Sequence, residues 1–384
     1  MLRKRPAVEG ARAAHTARGR RIIVKVGTGV LSKGDLRLHL PTIENLAREL
    51  SELRAGGREM VLVSSGAILA GMAALGFDRR PQQIPLKQAA AAVGQSHLMR
   101  AYEEAFQAHQ QRVAQILLTR EDLRHRARYL NARNTLFALL RLHVIPIINE
   151  NDTVAVDEIK FGDNDTLSAL VAHVAEADLL VILTDTDGVY TADPRTHPDA
   201  ALIPMVGTDV RGAFCAEEGK SPTGSGGMSS KLAAARQAAQ AGVPTVVANG
   251  FVQGILARIL AGEEVGTLFL PRALPVRGRK RWLAFASAPR GGVVVDGGAR
   301  EALLKGGKSL LASGVRGTRE TFRAGDPVSI LGPDRVEFAR GLTNYGRDEV
   351  ERIKGLRTNE IAAVLGTKPF DEVVHRDNLV VLEQ

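Results

Sequence analysis

Cysteine occurs once in the 384 residues, at Cys215. That excludes an intramolecular disulfide and a cysteine-built metal cluster, and it fits a reducing, cytoplasmic setting. No apolar run approaches the length of a membrane span, so with 45% hydrophobic residues the chain reads as a globular protein without a membrane partner. Aromatic residues make up only 4%, with a single tryptophan. The first 20 residues are rich in Arg and Lys but lack both serine and the apolar stretch that a secretory signal needs. This leader, residues 1–20, is expected to be disordered.

The length exceeds what one hydrophobic core usually serves, so two domains are expected. The net charge of +9 is unevenly spread. Residues 1–21 hold seven Lys or Arg against one Glu, residues 22–275 hold 25 against 27 acidic residues, and residues 276–384 hold 19 against 14. The long middle segment is therefore near neutral, which argues against a non-specific grip on nucleic acid.

Two clusters of amides and carboxylates stand out, Asn149-Glu150-Asn151-Asp152 and Gly162-Asp163-Asn164-Asp165. Val144 to Ile148 is apolar and β-branched, hence a buried strand candidate, and the first cluster would emerge at its C-terminal end, where open α/β sheets bind ligands. The segment 154–160 has strand-like composition, and a helix is expected over Thr166 to Val174. Any one of Asp163, Asn164 or Asp165 would serve as a helix N-cap. So many such residues in two adjacent loops point further, to a polar-substrate or metal site.

Most of the other chemistry-bearing stretches also follow strand candidates. Arg21 to Val26 is an apolar strand interrupted by Lys25, a cation costly to bury without an anionic partner. Lys25 is thus a candidate phosphate contact, with a lysine snorkelling at a strand end as the plainer alternative. Gly27 and Gly29 after it would allow close backbone approach, although a lone GxG is weak evidence. Met60 to Val63 runs into Ser64-Ser65-Gly66, which lacks the spacing of a hydrolase nucleophile elbow and better suits contact with a carboxylate or phosphate. Asp178 to Leu183 leads into Thr184-Asp185-Thr186-Asp187-Gly188. Thr223 to Lys231 is glycine-rich and opens a helix, a phosphate-binding arrangement without Walker A spacing.

Helices are expected over 41–55, 126–142 and 231–241. Residues 86–110 read as two helical runs parted at Gly94, with His97 and His109 on the surface. A strand at Val243 to Ala248 should close the sheet. This alternation predicts a doubly wound, mainly parallel sheet with loops 27–29, 64–66, 149–165 and 184–188 on one rim. A linker at 271–279 would separate the domain 21–270 from a small β-rich module, 280–384. That module should have strands at 292–295, 327–331 and 336–339 and one helix at 299–305.

VKVGTGVL, VSSGAILAG, AAVGQSHLM, LLTREDL, YLNARNTL, PIINENDTV, IKFGDNDTLSALVA, LTDTDGVYTADP and TGSGGMSSKLAAA follow one another in order from Ile22 onward. Together they resemble the glutamate 5-kinases of the amino acid kinase family, and the C-terminal module resembles a PUA domain. The resemblance implies the amino acid kinase fold, an α/β sandwich with a parallel open sheet, followed by a small PUA-like barrel. It implies ATP-dependent phosphorylation of the γ-carboxylate of L-glutamate, the first step of proline biosynthesis, with proline as a feedback inhibitor. It also implies a homo-oligomer, tetramer or dimer, and Mg²⁺ travelling with ATP on phosphate oxygens and water rather than on a protein cage.

Carried over by motif, Lys25 and Lys231 contact the phosphates and Asp163 orients them. Glutamate falls to Ser65, Asp152 and Asn164, with Asp165 and Asn149 beside them. Asp152 or Asp165 would pair with its ammonium, so Asp165→Ala is expected to lower glutamate affinity more than turnover. The nucleotide falls to Lys25, Thr184, Asp185, Ser225, Gly226, Gly227, Met228, Ser229, Ser230 and Lys231. The rival readings are another kinase of this fold, such as aspartate or acetylglutamate kinase, and an RNA-binding protein built around the PUA-like module. Sparse aromatics in the basic C-terminal segment weigh against RNA.

Overall fold

The computed structural model describes residues 12–17, 19–154, 164–207, 227–272, 283 and 288–382. The chain divides near residue 274 into two compact units.

The first unit is built on an eight-stranded sheet. Its strands are β1 (Arg21–Val26), β2 (Glu59–Ser64), β3 (Val113–Leu118), β4 (Ile145–Glu150), β5 (Leu179–Thr184), β6 (Met205–Val206), β7 (Thr245–Asn249) and β8 (Thr267–Phe269), in the spatial order β3-β4-β2-β1-β5-β7-β8-β6. From β3 through β7 every neighbouring pair is parallel. The sheet does not close at β7, however. β8 pairs with it antiparallel and β6 pairs with β8 parallel. Strands of two and three residues are too short to show a period in the sequence, which is why the extension was not foreseen.

The order has a switch point. From β1 the chain turns one way to β2, whereas β5 lies on the other side of β1. The C-terminal ends of β1 and β5 therefore flank the crevice in which sheets of this kind bind ligands. Within β1, Ile22, Val24 and Val26 enter the core with Ile43, Leu98 and Tyr102. Alternation then sends Lys25 to the opposite face, where helix Asn164–Val174 lies.

Residues 84–107 form one unbroken helix rather than two. Gly94 sits inside it because it faces helix Ala67–Leu75. A Cβ on Gly94 would lie 1.8 Å from the Ala67 carbonyl oxygen, and one on Gly71 would lie 1.7 Å from that of Ala90. The two backbones meet directly, so these glycines mark a helix crossing and not a break. Helix 67–75 starts straight after Ser65, with Gly66 supplying a backbone φ of 105° at its N-cap.

The leader also departs from expectation. Residues 12–16 are helical and Arg12 is buried, 1% exposed. Its guanidinium donates to the carbonyl oxygens of Pro204 at 2.7 Å, Glu263 at 3.1 Å and Val265. Three acceptors in the planar fork make burial of the charge tolerable. Ala13 lies against Gly262, where an added Cβ would come within 2.9 Å. Residues 1–11 lie outside the described residues.

The second unit holds a five-stranded sheet of β9 (Gly291–Val295), β10 (Val315–Arg319), β11 (Pro327–Leu331), β12 (Glu337–Leu342) and β13 (Leu379–Val381), ordered β10-β9-β11-β12-β13. Only β9 and β11 run parallel. Val293, Val295, Ile330, Phe338, Tyr345 and Ile353 fill its core. Helix Gly297–Gly306 is capped by Asp296, which accepts from the Ala299 N–H. Helices also form at Arg347–Ile353 and Ile361–Leu365, where the sequence reading had a single helix for the module. Among the described residues no helix is long and apolar enough to cross a membrane.

The crossing of helices 67–75 and 84–107 leaves no room for a methyl group. Gly94→Ala is expected to cost at least about 3 kcal/mol, the upper end for overpacking, because backbone on both sides must separate. The urea midpoint followed by circular dichroism measures this, and an unchanged midpoint contradicts the close crossing.

Candidate active site

Lys25 reaches the rim from the penultimate residue of β1, and Asp165 descends toward it from the first turn of helix 164–174. Lys25 Nζ lies 2.5 Å from Asp165 Oδ1, with the two side chains 4% and 1% exposed. The other oxygen, Oδ2, accepts from Ser230 Oγ at 2.7 Å and lies 3.9 Å from Lys231 Nζ. Ser230 and Lys231 come from the first turn of helix Met228–Gln240, whose N-cap is Gly227 in extended backbone. One carboxylate thus sits between two lysines brought from a strand and a second helix.

Burial alone would push the Asp165 carboxyl up. The charges of Lys25 and Lys231 and the hydrogen bonds from Lys25 and Ser230 outweigh it and hold the group below the usual carboxylate range. Burial, with Lys25 adding like-charge repulsion, pushes the Lys231 amine down against the opposing pull of Asp165 and Asp185. Two cations around one anion leave one positive charge unbalanced within this trio, which suits an anionic ligand.

Next to the lysines is an amide cluster. Asn149, 1% exposed at the end of β4, donates through Nδ2 to Gln95 Oε1 at 2.8 Å, and its Oδ1 accepts from Asn164 Nδ2 at 2.9 Å. Asn164 Nδ2 also donates to Ser65 Oγ at 3.2 Å. Beneath this, the Ser64 hydroxyl bonds both the Ser65 carbonyl and Tyr102 OH, each at 2.8 Å. Half-buried Asp152 stands past the end of β4, its carboxyl pushed up to about 6 by burial while the charge of Arg80 pulls it back.

On the other side of β1, Thr184 ends β5 and donates to Asp185 Oδ1 at 3.0 Å. Asn249, at the end of β7, donates to Asp187 Oδ1 at 2.8 Å and so joins two loops of the rim. Met228 and exposed Ser229 open the helix that carries Lys231.

The residues singled out from the sequence therefore fall into three groups. Lys25, Asp165, Ser230 and Lys231 meet directly, as do Ser65, Asn149 and Asn164, while Thr184 and Asp185 share the rim with them. Asp163, Ser225 and Gly226 lie outside the described residues, as does the strand-like stretch 155–160. Asp165 is not left open toward a substrate ammonium, since Lys25, Ser230 and Lys231 face its two oxygens. Gln95, Tyr102 and Arg80 were missed. Gln95 lies within AAVGQSHLM, one of the recognised stretches, but only the fold shows that it touches Asn149.

The pattern of the amino acid kinase family matches residues 20–249, and that of the PUA domain matches residues 291–365. The chain is 56% identical to the glutamate 5-kinase of Geobacter sulfurreducens over 364 residues, which span 94% of this chain and 98% of the relative. It is 54% identical to that of Pelobacter propionicus over the same length and shares. With the glutamate 5-kinase of Moorella thermoacetica identity is 51% over 368 residues, 95% of this chain and 97% of the relative. The chain belongs to the amino acid kinase family. Its near-full-length relatives within that family are glutamate 5-kinases, and the family implies ATP as phosphoryl donor.

The buried cluster makes a prediction of its own. Asp165→Ala leaves two buried ammonium groups facing each other and is expected to cost about 3–5 kcal/mol, as when one partner of a buried pair is removed. Chemical denaturation measures the loss. A loss under about 1 kcal/mol would mean that the cluster is well hydrated.

Proposed function

We propose that this enzyme transfers the terminal phosphoryl group of ATP to the γ-carboxylate of L-glutamate, giving γ-glutamyl phosphate for proline biosynthesis. The observation that carries the reading is the pairing of Lys25 and Lys231 through Asp165 at the switch point, with the amide cluster of Asn149, Asn164 and Ser65 alongside. The near-full-length likeness to glutamate 5-kinases supports the choice of acceptor.

A carboxylate is already ionised at neutral pH and needs no general base, so catalysis reduces to alignment and neutralisation of charge. A γ-carboxylate oxygen forms a bond to the terminal phosphorus while the bond to the bridging oxygen breaks, and ADP leaves with that electron pair. Lys25 and Lys231 stabilise the charge on the moving group, and Asp165 holds the two ammonium groups apart at fixed positions. Ser65, Asn149 and Asn164 orient glutamate, and Asp152 receives its ammonium. Thr184, Asp185 and the first turn of helix 228–240 take the nucleotide, with Asp163, Ser225 and Gly226 assigned to the same site by motif alone.

Mg²⁺ would accompany the nucleotide on its phosphate oxygens, where it neutralises charge.

The direct test combines the purified chain with ATP, Mg²⁺, glutamate and hydroxylamine and measures γ-glutamyl hydroxamate. Product from aspartate or acetylglutamate in place of glutamate would sink the assignment. With Asp165 committed to the lysines, Asp165→Ala is expected to lose turnover, on the order of 10²-fold or more by analogy with removal of one preorganised electrostatic group, and not chiefly glutamate affinity.

Asp152 supplies a pH signature. Binding of an ammonium needs the ionised carboxylate, so kcat/KM for glutamate should fall as pH drops through about 6. Asp152→Asn should remove that limb, and a limb that persists in the variant belongs to another group. Proline, occupying the same subsite, should raise the apparent KM for glutamate. An unchanged glutamate saturation curve in saturating proline excludes such competition.

A further inference from the structure

Gln95 follows the glycine at the helix crossing and stands at the far end of a chain of amides leading to Ser65. A backbone N–H can only donate, and this fixes the polarity of the whole chain. The Glu150 N–H donates to Asn149 Oδ1 at 2.9 Å and, at 3.3 Å, to Asn164 Oδ1. Asn149 must therefore turn its Nδ2 to Gln95, and Gln95 must present its oxygen. Asn164 in turn points its Nδ2 at Asn149 Oδ1 and at Ser65 Oγ. Ser65 is then an acceptor within the protein, and its own proton is left to donate outward.

Reversing the Gln95 amide would set an N–H₂ against an N–H₂ and release Asn149. The existing orientation has a cost, because Gln95 Nε2 is buried without a hydrogen-bond partner among the described residues. A methionine or leucine would fill the same space with no such orphan. Stability alone thus disfavours glutamine here, while the oxygen at its other end is what Asn149 requires.

The geometry points to Gln95 as a positioning residue for the acceptor substrate. It holds Asn149 in the orientation that the Glu150 amide imposes, and so steadies the Asn164 contact that leaves the Ser65 hydroxyl to donate to a carboxylate oxygen of the substrate. This deepens the glutamate kinase reading and rests on it. It also explains why helix 84–107 must approach helix 67–75 so closely: without Gly94 against Ala67, residue 95 would stand off from the end of β4.

The test compares Q95M, Q95E and Q95N in steady-state kinetics and thermal denaturation. Q95M keeps the volume and loses the acceptor. Its KM for glutamate should rise roughly five- to tenfold, the worth of about one hydrogen bond. KM for ATP should stay within about twofold and the melting temperature should hold or rise. Q95E keeps an accepting oxygen at the same reach and should return the glutamate KM toward wild type. An unchanged glutamate KM in Q95M, or parallel rises in both KM values with a lower melting temperature, overturns the proposal. Should Q95M not fold, Q95N decides: with its oxygen withdrawn by one methylene it should show a raised glutamate KM beside a near-normal Q95E, and equal values overturn the idea. Wild-type protein that forms no γ-glutamyl hydroxamate refutes the kinase reading itself, whereas wild-type activity with an indifferent Q95M refutes only the role of Gln95.

Discussion

The contact between Asp165 and its two lysines governs much of the first unit. Lys25 interrupts the most central strand of the sheet with a charge that no apolar neighbour can accommodate; its register partners are Val63 and Ile182. Only a buried anion allows β1 to keep it. That anion arrives on a helix whose other residues pack over the sheet, so the electrostatic requirement fixes where helix 164–174 begins. Lys231 and Ser230 then fix the start of helix 228–240 against the same carboxylate. Three elements distant in sequence are thereby held at one point. A carboxylate that balances one of the two lysine charges leaves the other to attract an anion.

The amide cluster is held differently, by neutral hydrogen bonds ordered by a backbone amide and by direct contact between helix backbones. Neutral amides discriminate by direction and not by charge, which suits a substrate whose own carboxylates must be turned toward one partner and away from another. Gly71 and Gly94 belong to this arrangement as much as the amides do, since they bring the helix bearing Gln95 and Tyr102 within reach of the loops after β2 and β4.

Much of this was legible in the residues. Buried strands showed as β-branched runs, and each polar cluster followed one of them, which placed most of the site on a common rim. Asp165 was recognised as a site residue, but its partners were not, because a carboxylate beside a predicted substrate reads equally well as a ligand for ammonium or for lysine until the distances are known. Gly94 read as a break because helix propensity counts glycine as a cost, and only tertiary contact turns that cost into closeness. β6 and β8 were too short to register, and Arg12 looked solvated because nothing within a five-residue helix announces carbonyl acceptors two hundred residues away.

Those carbonyls set a temporal order. Arg12 leaves the ribosome early, while its acceptors lie 192, 251 and 253 residues further on. At translation rates of about 5–20 residues per second, the arginine waits roughly 10–50 s for them. The helix that carries Arg12 can therefore be sealed only when the last edge of the sheet is in place, long after its own synthesis.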